Sequence, residues 1–497
     1  MVIVPKPVTD LDWSPERAES LATRAVGLWK ELLQKLPTLP VSRRWRDVRV
    51  AEHLDLTVPD EPVSESALTS HLRKIMFDAS IYPGSPRFMA FITGAGTVPG
   101  AIADLLAAAL NQNVGVWRLA PAATEIEQFL GRWFATAFGL PEGAGGLVVT
   151  GGAMANFVAL KAARDAKAGW NVREEGVRDQ PQLAIYASAE AHHVIERAAD
   201  MLGLGAAAVR KIAVDSDYRM RIEALEAEIA HDRARGVRPI AIVATAGTVA
   251  TGAIDPMPQI AAICKREQLW FHVDGAYGAL ATLAPELSPL FVGMEQADSI
   301  AFDPHKWLYT PHSGGFVVVR DLQCLANSFS LKPTYVREDK ELTGNGLDAS
   351  MLGPQFSRGF AALKIWVSLL AHGRAAYARR IAHDVELAHY LDACVRERPE
   401  LESMAKVTLS IACFRYVPPD LGDLRDREAY LDKLNEVLMA EIQMDGRAFC
   451  SNAVLGPRYA LRACIVNFRT EAADIDILLD TAIELGAKLD RSMRPRA

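Results

Sequence analysis

The chain has 497 residues, half of them hydrophobic and 23% charged, the balance of a globular protein too large for one small core. Its net charge of −7 gives no electrostatic reason to expect nucleic acid or an anionic membrane as a partner. The six cysteines, at 264, 324, 394, 413, 450 and 464, form no CxxC pair and have no histidine at zinc-site spacing; they read as reduced, buried thiols of a cytoplasmic protein without a metal centre.

The N-terminal run MVIVPKPVTDLDW has no basic region followed by an apolar stretch, so no signal peptide is expected there. Residues 1–80 read as a helical segment. Ser14 is a cap, Pro15 takes the first helical position, and apolar residues recur at helical spacing to residue 36. Pro-rich connections at 38–42 and 58–66 precede a second helix at about 66–76. The most apolar stretch, 96–117, is broken by Pro99 and Asp104, which predicts a buried helix and loop and no membrane span.

Short apolar runs at 147–150, 183–188, 241–247, 269–276, 299–303 and 314–320 predict strands, with helices between them at 154–168, 192–203, 221–235 and 256–267. Alternation of this kind implies an α/β fold whose central sheet is mostly parallel and covered on both faces. From about 376 a long helix (376–397), strand-like 407–417, a helix at 426–443, strand-like 461–470 and a final helix at 472–490 predict a small α+β unit. The expected division is 1–80, a large unit at 81–375 and a small C-terminal one at 376–497.

The chemistry concentrates where predicted strands end. ADSIAFDPHKW (297–307) closes a strand and delivers His305, Lys306 and Trp307; HVDGAYG (272–278) closes another and delivers Asp274. Ligands of α/β sheets sit beyond the carboxyl ends of the strands, so both residues are expected in one crevice. A lysine and a carboxylate placed together suit pyridoxal 5′-phosphate. The amine forms a Schiff base with the aldehyde, and the carboxylate favours the protonated ring nitrogen that makes the ring an electron sink. LVVTGGAMANF (147–157) leads a strand through Thr150, Gly151, Gly152 and Ala153 into a helix, a cradle for a phosphate as well as an ordinary tight turn. His192 and His193 open a further helix after a strand; an imidazole there can stack on a flat ring, although each alone reads more readily as a capping or packing residue.

Together with SPRFMAFITGAG (85–96), NQNVGVWRLAPAATEIE (111–127), AHHVIERA (191–198), ATAGTVATGAIDP (244–256) and LRACIVNFRT (461–470), these motifs resemble, in order and over nearly the whole chain, the group II pyridoxal-phosphate-dependent amino-acid decarboxylases, in their aromatic-L-amino-acid decarboxylase branch. The resemblance implies fold type I (aminotransferase-like) architecture with an N-terminal helical dimerisation segment, a homodimer, and decarboxylation of an L-amino acid, aromatic in this branch, to the amine. By matching position it implies Lys306 as the Schiff-base lysine, Asp274 as the ring-nitrogen partner and His192 as the stacking histidine. Gly152, Ala153, Thr248, Ala276 and His305 complete the implied cofactor contacts. Tyr335, in FSLKPTYVRED (329–339), matches the loop tyrosine that helps protonate the substrate's Cα, and Phe91, Ile92, Thr93 and Ser357 match positions lining the substrate. Asp303 stands where animal relatives have asparagine near the phosphate; an acid beside a dianion is unfavourable unless it turns away or is compensated.

Three other readings stay open on the sequence: oxidative decarboxylation–deamination to an aldehyde, a non-aromatic substrate, and a cofactor-binding protein without catalysis.

Overall fold

The computed structural model describes residues 11–43, 50–54, 56–331, 347–421 and 424–495. In chain order its strands are β1 (Phe88–Met89), β2 (Gly145–Val149), β3 (Leu183–Ser188), β4 (Val209–Ile212), β5 (Arg238–Thr245), β6 (Trp270–Asp274), β7 (Ser299–Phe302), β8 (Gly315–Val319), β9 (Leu401–Ser403), β10 (Ile411–Tyr416), β11 (Phe449–Leu455) and β12 (Arg458–Cys464). The seven from β2 to β8 make one sheet in the order β2-β8-β7-β6-β5-β3-β4. Its only antiparallel strand among the described residues is β8, so β2 and β7, on either side of it, point the same way. The carboxyl ends of β2, β7, β6, β5 and β3 therefore share one edge.

Both faces of this sheet are covered, and alternate residues along each strand serve opposite sides. Leu147 and Val149 of β2 pack with the helix Gly152–Lys167. Val148 between them packs on the other side with Leu130 and Phe134 of the helix Pro121–Ala137. A second sheet, β1-β11-β12-β10-β9, is antiparallel except where β1 joins β11. Helices Arg427–Asp445 and Ala472–Met493 cover it.

The N-terminal helix Pro15–Lys35 starts as expected, with Ser14 accepting the Arg17 N–H and proline at the first position. The helix expected at 376–397 begins earlier, at Ala362, and is broken at Gly373, whose φ of 72° and ψ of 154° are non-helical. Glycine adopts that positive φ without a Cβ penalty, so one continuous sequence pattern holds two helical pieces. None of the six cysteines is in a disulfide. No helix among the described residues is long and apolar enough to cross a membrane.

Candidate active site

Strand β6 ends on Asp274, and the neighbouring parallel β7 ends just before the turn Asp303–Trp307. Along β6, Phe271 and Val273 enter one core and Trp270 the other, so Trp270, His272 and Asp274 all face the helix Gly152–Lys167. Asp274 is 4% exposed, and its Oδ1 accepts the Ala276 N–H at 3.2 Å. The Lys306 N–H donates to the Asp303 carbonyl at 2.9 Å, which closes the turn. The Lys306 ammonium lies 3.0 Å from Asp303 Oδ2, with His305 Nε2 3.7 Å from the same oxygen. The acid at position 303 is thus compensated by the ammonium of Lys306 in its own turn.

Beyond this turn the chain is tied to the helix Ala362–Glu397. Asp384, fully buried, accepts from Trp307 Nε1 at 3.2 Å and from the Tyr309 hydroxyl at 2.6 Å, and pairs with Arg380 at 2.8 Å. Burial raises its carboxyl to about 6, against the lowering pull of Arg380 and its hydrogen bonds.

Opposite the lysine turn, β2 passes through Thr150 and Gly151 into the helix that starts at Gly152. A Cβ on Gly152 would lie 2.8 Å from Asp303 Oδ2 and 3.3 Å from the Ala276 Cβ, so only glycine fits there without displacing a neighbour. Ala153 follows in the first turn of the helix, where amides lack intrahelical partners and the dipole favours an anion. The strand before this turn is clamped by buried groups: Glu127 accepts the Val148 N–H at 2.9 Å and pairs with Arg358 at 2.5 Å, and Arg358 also donates to the Val148 carbonyl at 2.6 Å.

His192 Nδ1 accepts the Val194 N–H at 3.1 Å, which leaves Nε2 to carry the proton of a neutral ring. Burial lowers its pKa; Asp274 pulls it back up, while His193 and Lys306 push it further down. Those opposing influences place His192, Asp274 and Lys306 within electrostatic reach of one another. His305 is likewise lowered by burial, partly offset by Asp303, and its Nδ1 bonds the Gly314 carbonyl at 2.7 Å. Thr248 turns inward: its hydroxyl meets Thr251 at 3.1 Å and accepts the Ala253 N–H at 3.0 Å, within its own turn. Thr245, whose Cα pairs with that of Asp274 across the sheet, keeps a buried hydroxyl with no partner.

Of the residues expected at the substrate, Phe91, Ile92 and Thr93 lie on a strap that runs beside the lysine turn. The Gly94 N–H donates to the His305 carbonyl at 3.2 Å and the Thr97 N–H to the Tyr309 carbonyl at 2.8 Å. Phe91, at φ 56°, is held from the second sheet: its N–H donates to Ser451 Oγ at 3.3 Å and its carbonyl accepts from Arg462 at 3.1 Å. Ser357 lines a cleft of about 420 Å³ with Thr150 and His312. Tyr335 lies outside the described residues.

Sequence reasoning did not single out Asn156, His272, Thr245, Asp384 or Arg462. A polar residue in an otherwise apolar buried run, as at Asn156 and His272, was the available signal. The site has groups that suit a phosphorylated aldehyde cofactor: an amine, a carboxylate, a small-residue turn at a helix start, and a buried hydroxyl, Thr245 Oγ1, with no protein partner.

Residues 48–417 match the family model described as the pyridoxal-dependent decarboxylase conserved domain. An aromatic-L-amino-acid decarboxylase of Bacillus atrophaeus is 31% identical over 466 residues, covering 94% of this chain and 95% of that protein. The Bos taurus aromatic-L-amino-acid decarboxylase is 31% identical over 451 residues, 88% of this chain and 89% of its own. A solved structure of Oryza sativa TDC with PLP and tryptamine superposes with a TM-score of 0.89 at 27% identity, covering 97% of this chain and 99% of that one.

Proposed function

The chain belongs to the pyridoxal-dependent decarboxylases and is a pyridoxal 5′-phosphate enzyme that decarboxylates an L-amino acid; on that premise we propose that its substrate is aromatic, with Lys306 as the attachment point. The observation that supports the assignment of residues is that the parallel neighbours β6 and β7 end at Asp274 and just before the turn of Lys306. When bound, the cofactor supplies the electron sink that accepts the electrons of the Cα–carboxylate bond as CO2 leaves. Asp274 faces the ring nitrogen and holds its proton. His192, neutral at pH 7 because burial lowers its pKa, stacks on the ring. Gly152 and Ala153 take the phosphate with Thr248 and His305 nearby, and Ala276 packs beside them. Lys306 would hold the cofactor's aldehyde carbon through its amine, and Asp303, 3.0 Å away, would balance its ammonium form when it is free. Tyr335 hands a proton to Cα after CO2 is lost. Phe91, Ile92 and Thr93 form the wall against the substrate side chain, and Ser357 favours a phenolic ring.

The similarity to aromatic-L-amino-acid decarboxylases supports the substrate class. Assay of the common L-amino acids with L-DOPA and 5-hydroxytryptophan, quantifying CO2 and amine, tests it. Equal release of both from an aromatic substrate is expected; turnover confined to acidic or diamino acids would overturn it, and tryptophan well above tyrosine would overturn the phenolic preference. Tyr335→Phe should retain cofactor absorbance but lose amine formation by ~10²–10⁴-fold, with aldehyde, ammonia and peroxide in its place. Amine at the wild-type rate would remove Tyr335 from the chemistry.

The working unit we propose is a cytoplasmic homodimer, its N-terminal segment 1–80 packing across the twofold axis. Ile102, Leu105, Leu106 and Leu110, all exposed on the helix Val98–Leu110, support a covered apolar face, and six thiols free of disulfides support a reducing compartment. Sedimentation at micromolar concentration should give twice the chain mass; a fully active monomer would refute it.

A further inference from the structure

His272 is 0% exposed and sits two residues before Asp274, on the same face of β6. Its Nε2 lies 2.7 Å from Asn156 Oδ1, and its Nδ1 lies 2.8 Å from Ser299 Oγ. Asn156, also 0% exposed, donates from Nδ2 to the Gly152 carbonyl at 2.9 Å. Trp270 Nε1 donates to the same Ser299 hydroxyl at 2.8 Å.

With the imidazole neutral, the chemistry of these groups permits one assignment. Only the amide nitrogen of Asn156 can face the Gly152 carbonyl, so its oxygen faces His272. The imidazole must then carry a proton on Nε2. Trp270 can only donate, so Ser299 receives that bond and gives its own hydrogen to His272 Nδ1. Every donor in the chain from Trp270 to Gly152 finds an acceptor while the imidazole is neutral. Burial, against the raising influence of Asp274, pushes that imidazole down to about 4.

We propose that His272 and Asn156 are positioning residues that fix the Gly152 turn relative to Asp274, so that strand β6 sets the distance between the grip on the cofactor's phosphate and the grip on its ring. Asp274 stands at the end of β6; the Gly152 carbonyl is tethered to the same strand through Asn156 and His272. Because the tether is neutral, it leaves the charge of Asp274 uncompensated and available to the ring nitrogen. Neither residue touches the cofactor in this arrangement; both act through the helix start. The inference rests on the reading of the Gly152–Ala153 turn as the phosphate site.

The test compares pyridoxal 5′-phosphate with pyridoxal, which lacks the phosphate, as ligands of the full-length chain freed of cofactor, with dissociation constants read from protein fluorescence. Asn156→Ala should weaken the phosphorylated ligand by about tenfold or more and pyridoxal by less than about threefold. His272→Gln keeps an N–H for Asn156 and should hold both affinities within about threefold of wild type. Asn156→Asp keeps the acceptor for His272 but sets a carboxylate against the Gly152 carbonyl; it should reproduce the alanine effect and carries the test if the alanine variant does not fold. Equal weakening of both ligands would make the pair merely structural and overturn the proposal, as would no change in either, or a glutamine variant as damaged as the alanine one. If the wild-type chain binds pyridoxal as tightly as the phosphorylated form, the phosphate reading of the turn is what fails.

Discussion

The turn after β2 and the turn after β7 meet across the site, where a Cβ on Gly152 would lie 2.8 Å from Asp303 Oδ2. They are secured by opposite kinds of group. Behind the Gly152 turn stand Asn156, a neutral His272 and Ser299, all fully buried. Behind the lysine turn stand charges: Asp303 against Lys306, and Asp384 against Arg380 with Trp307 and Tyr309 bonded to it. A neutral tether has fixed donors and acceptors across the pH range in which an enzyme works, whereas a charged one is remade when its carboxylate titrates. On the proposed assignment, the side that would hold a phosphate is neutral, and the side whose lysine would change its charge during turnover is ionic.

The lysine side should show the largest effect when broken. Lys306→Ala is expected to lose amine formation by at least about 10³-fold, since the proposed nucleophile is gone. Borohydride reduction of the wild-type enzyme should fix a pyridoxyl group on Lys306, located by peptide mass spectrometry; a label on any other lysine refutes the assignment. On the opposite side, Gly152→Ala forces a methyl against Asp303 and Ala276, overpacking that ordinarily costs about 1–3 kcal/mol. Thermal stability should fall by that amount and cofactor affinity by about ten- to a hundredfold; unchanged affinity would mean that the turns do not meet around the cofactor.

The smallest effect sharpens the contrast most. His272 is lowered from 6.5 to about 4, so between those values the folded chain binds fewer protons than the unfolded one, and stability is lost as pH falls through that window. Asp384 is raised from 3.8 to about 6, so the folded chain binds more, and stability is lost as pH rises from 3.8 to 6. Asp255, also raised to about 6 by burial, adds to the second trend. Unfolding of full-length variants followed from pH 4 to 7 should show His272→Gln removing the rising contribution and Asp384→Asn the falling one, each by about 1–3 kcal/mol. Slopes that change in the same direction would show that the two anchors are not electrostatically distinct.

The strands that carry the site were legible because each is a short apolar run ended by a turn, as at LAIYAS, predicted and found at 183–188. The reversed direction of β8 was not, since a strand buried on both faces reads alike in either direction. β4, with Arg210 and Lys211 in its middle, and β11, with Ser451 and Asn452, carry too little apolar pattern to stand out. Lys306 and Asp274 were visible because their motifs close strands. Asp384 and Arg462 were not, because each meets the site from an element remote in sequence. Thr248 entered through the family resemblance; its hydroxyl accepts the Ala253 N–H within its own turn, while the unbonded hydroxyl of Thr245, across the sheet from Asp274, had no signal in the sequence.

The pairing of β1 with β11 has a consequence for the order in which the molecule can be assembled. Phe91 waits for Ser451, 360 residues later, and Phe88 and Met89 find their strand neighbours only in Phe449 and Cys450. Closing so long a loop is entropically expensive and slow compared with local contacts. During synthesis the βα units that carry Asp274 and Lys306 can form while the strap at 91–97 still lacks its anchor. The wall beside Lys306 is therefore among the last parts to settle, and a chain cut before β11 retains Lys306 but leaves that wall unmoored.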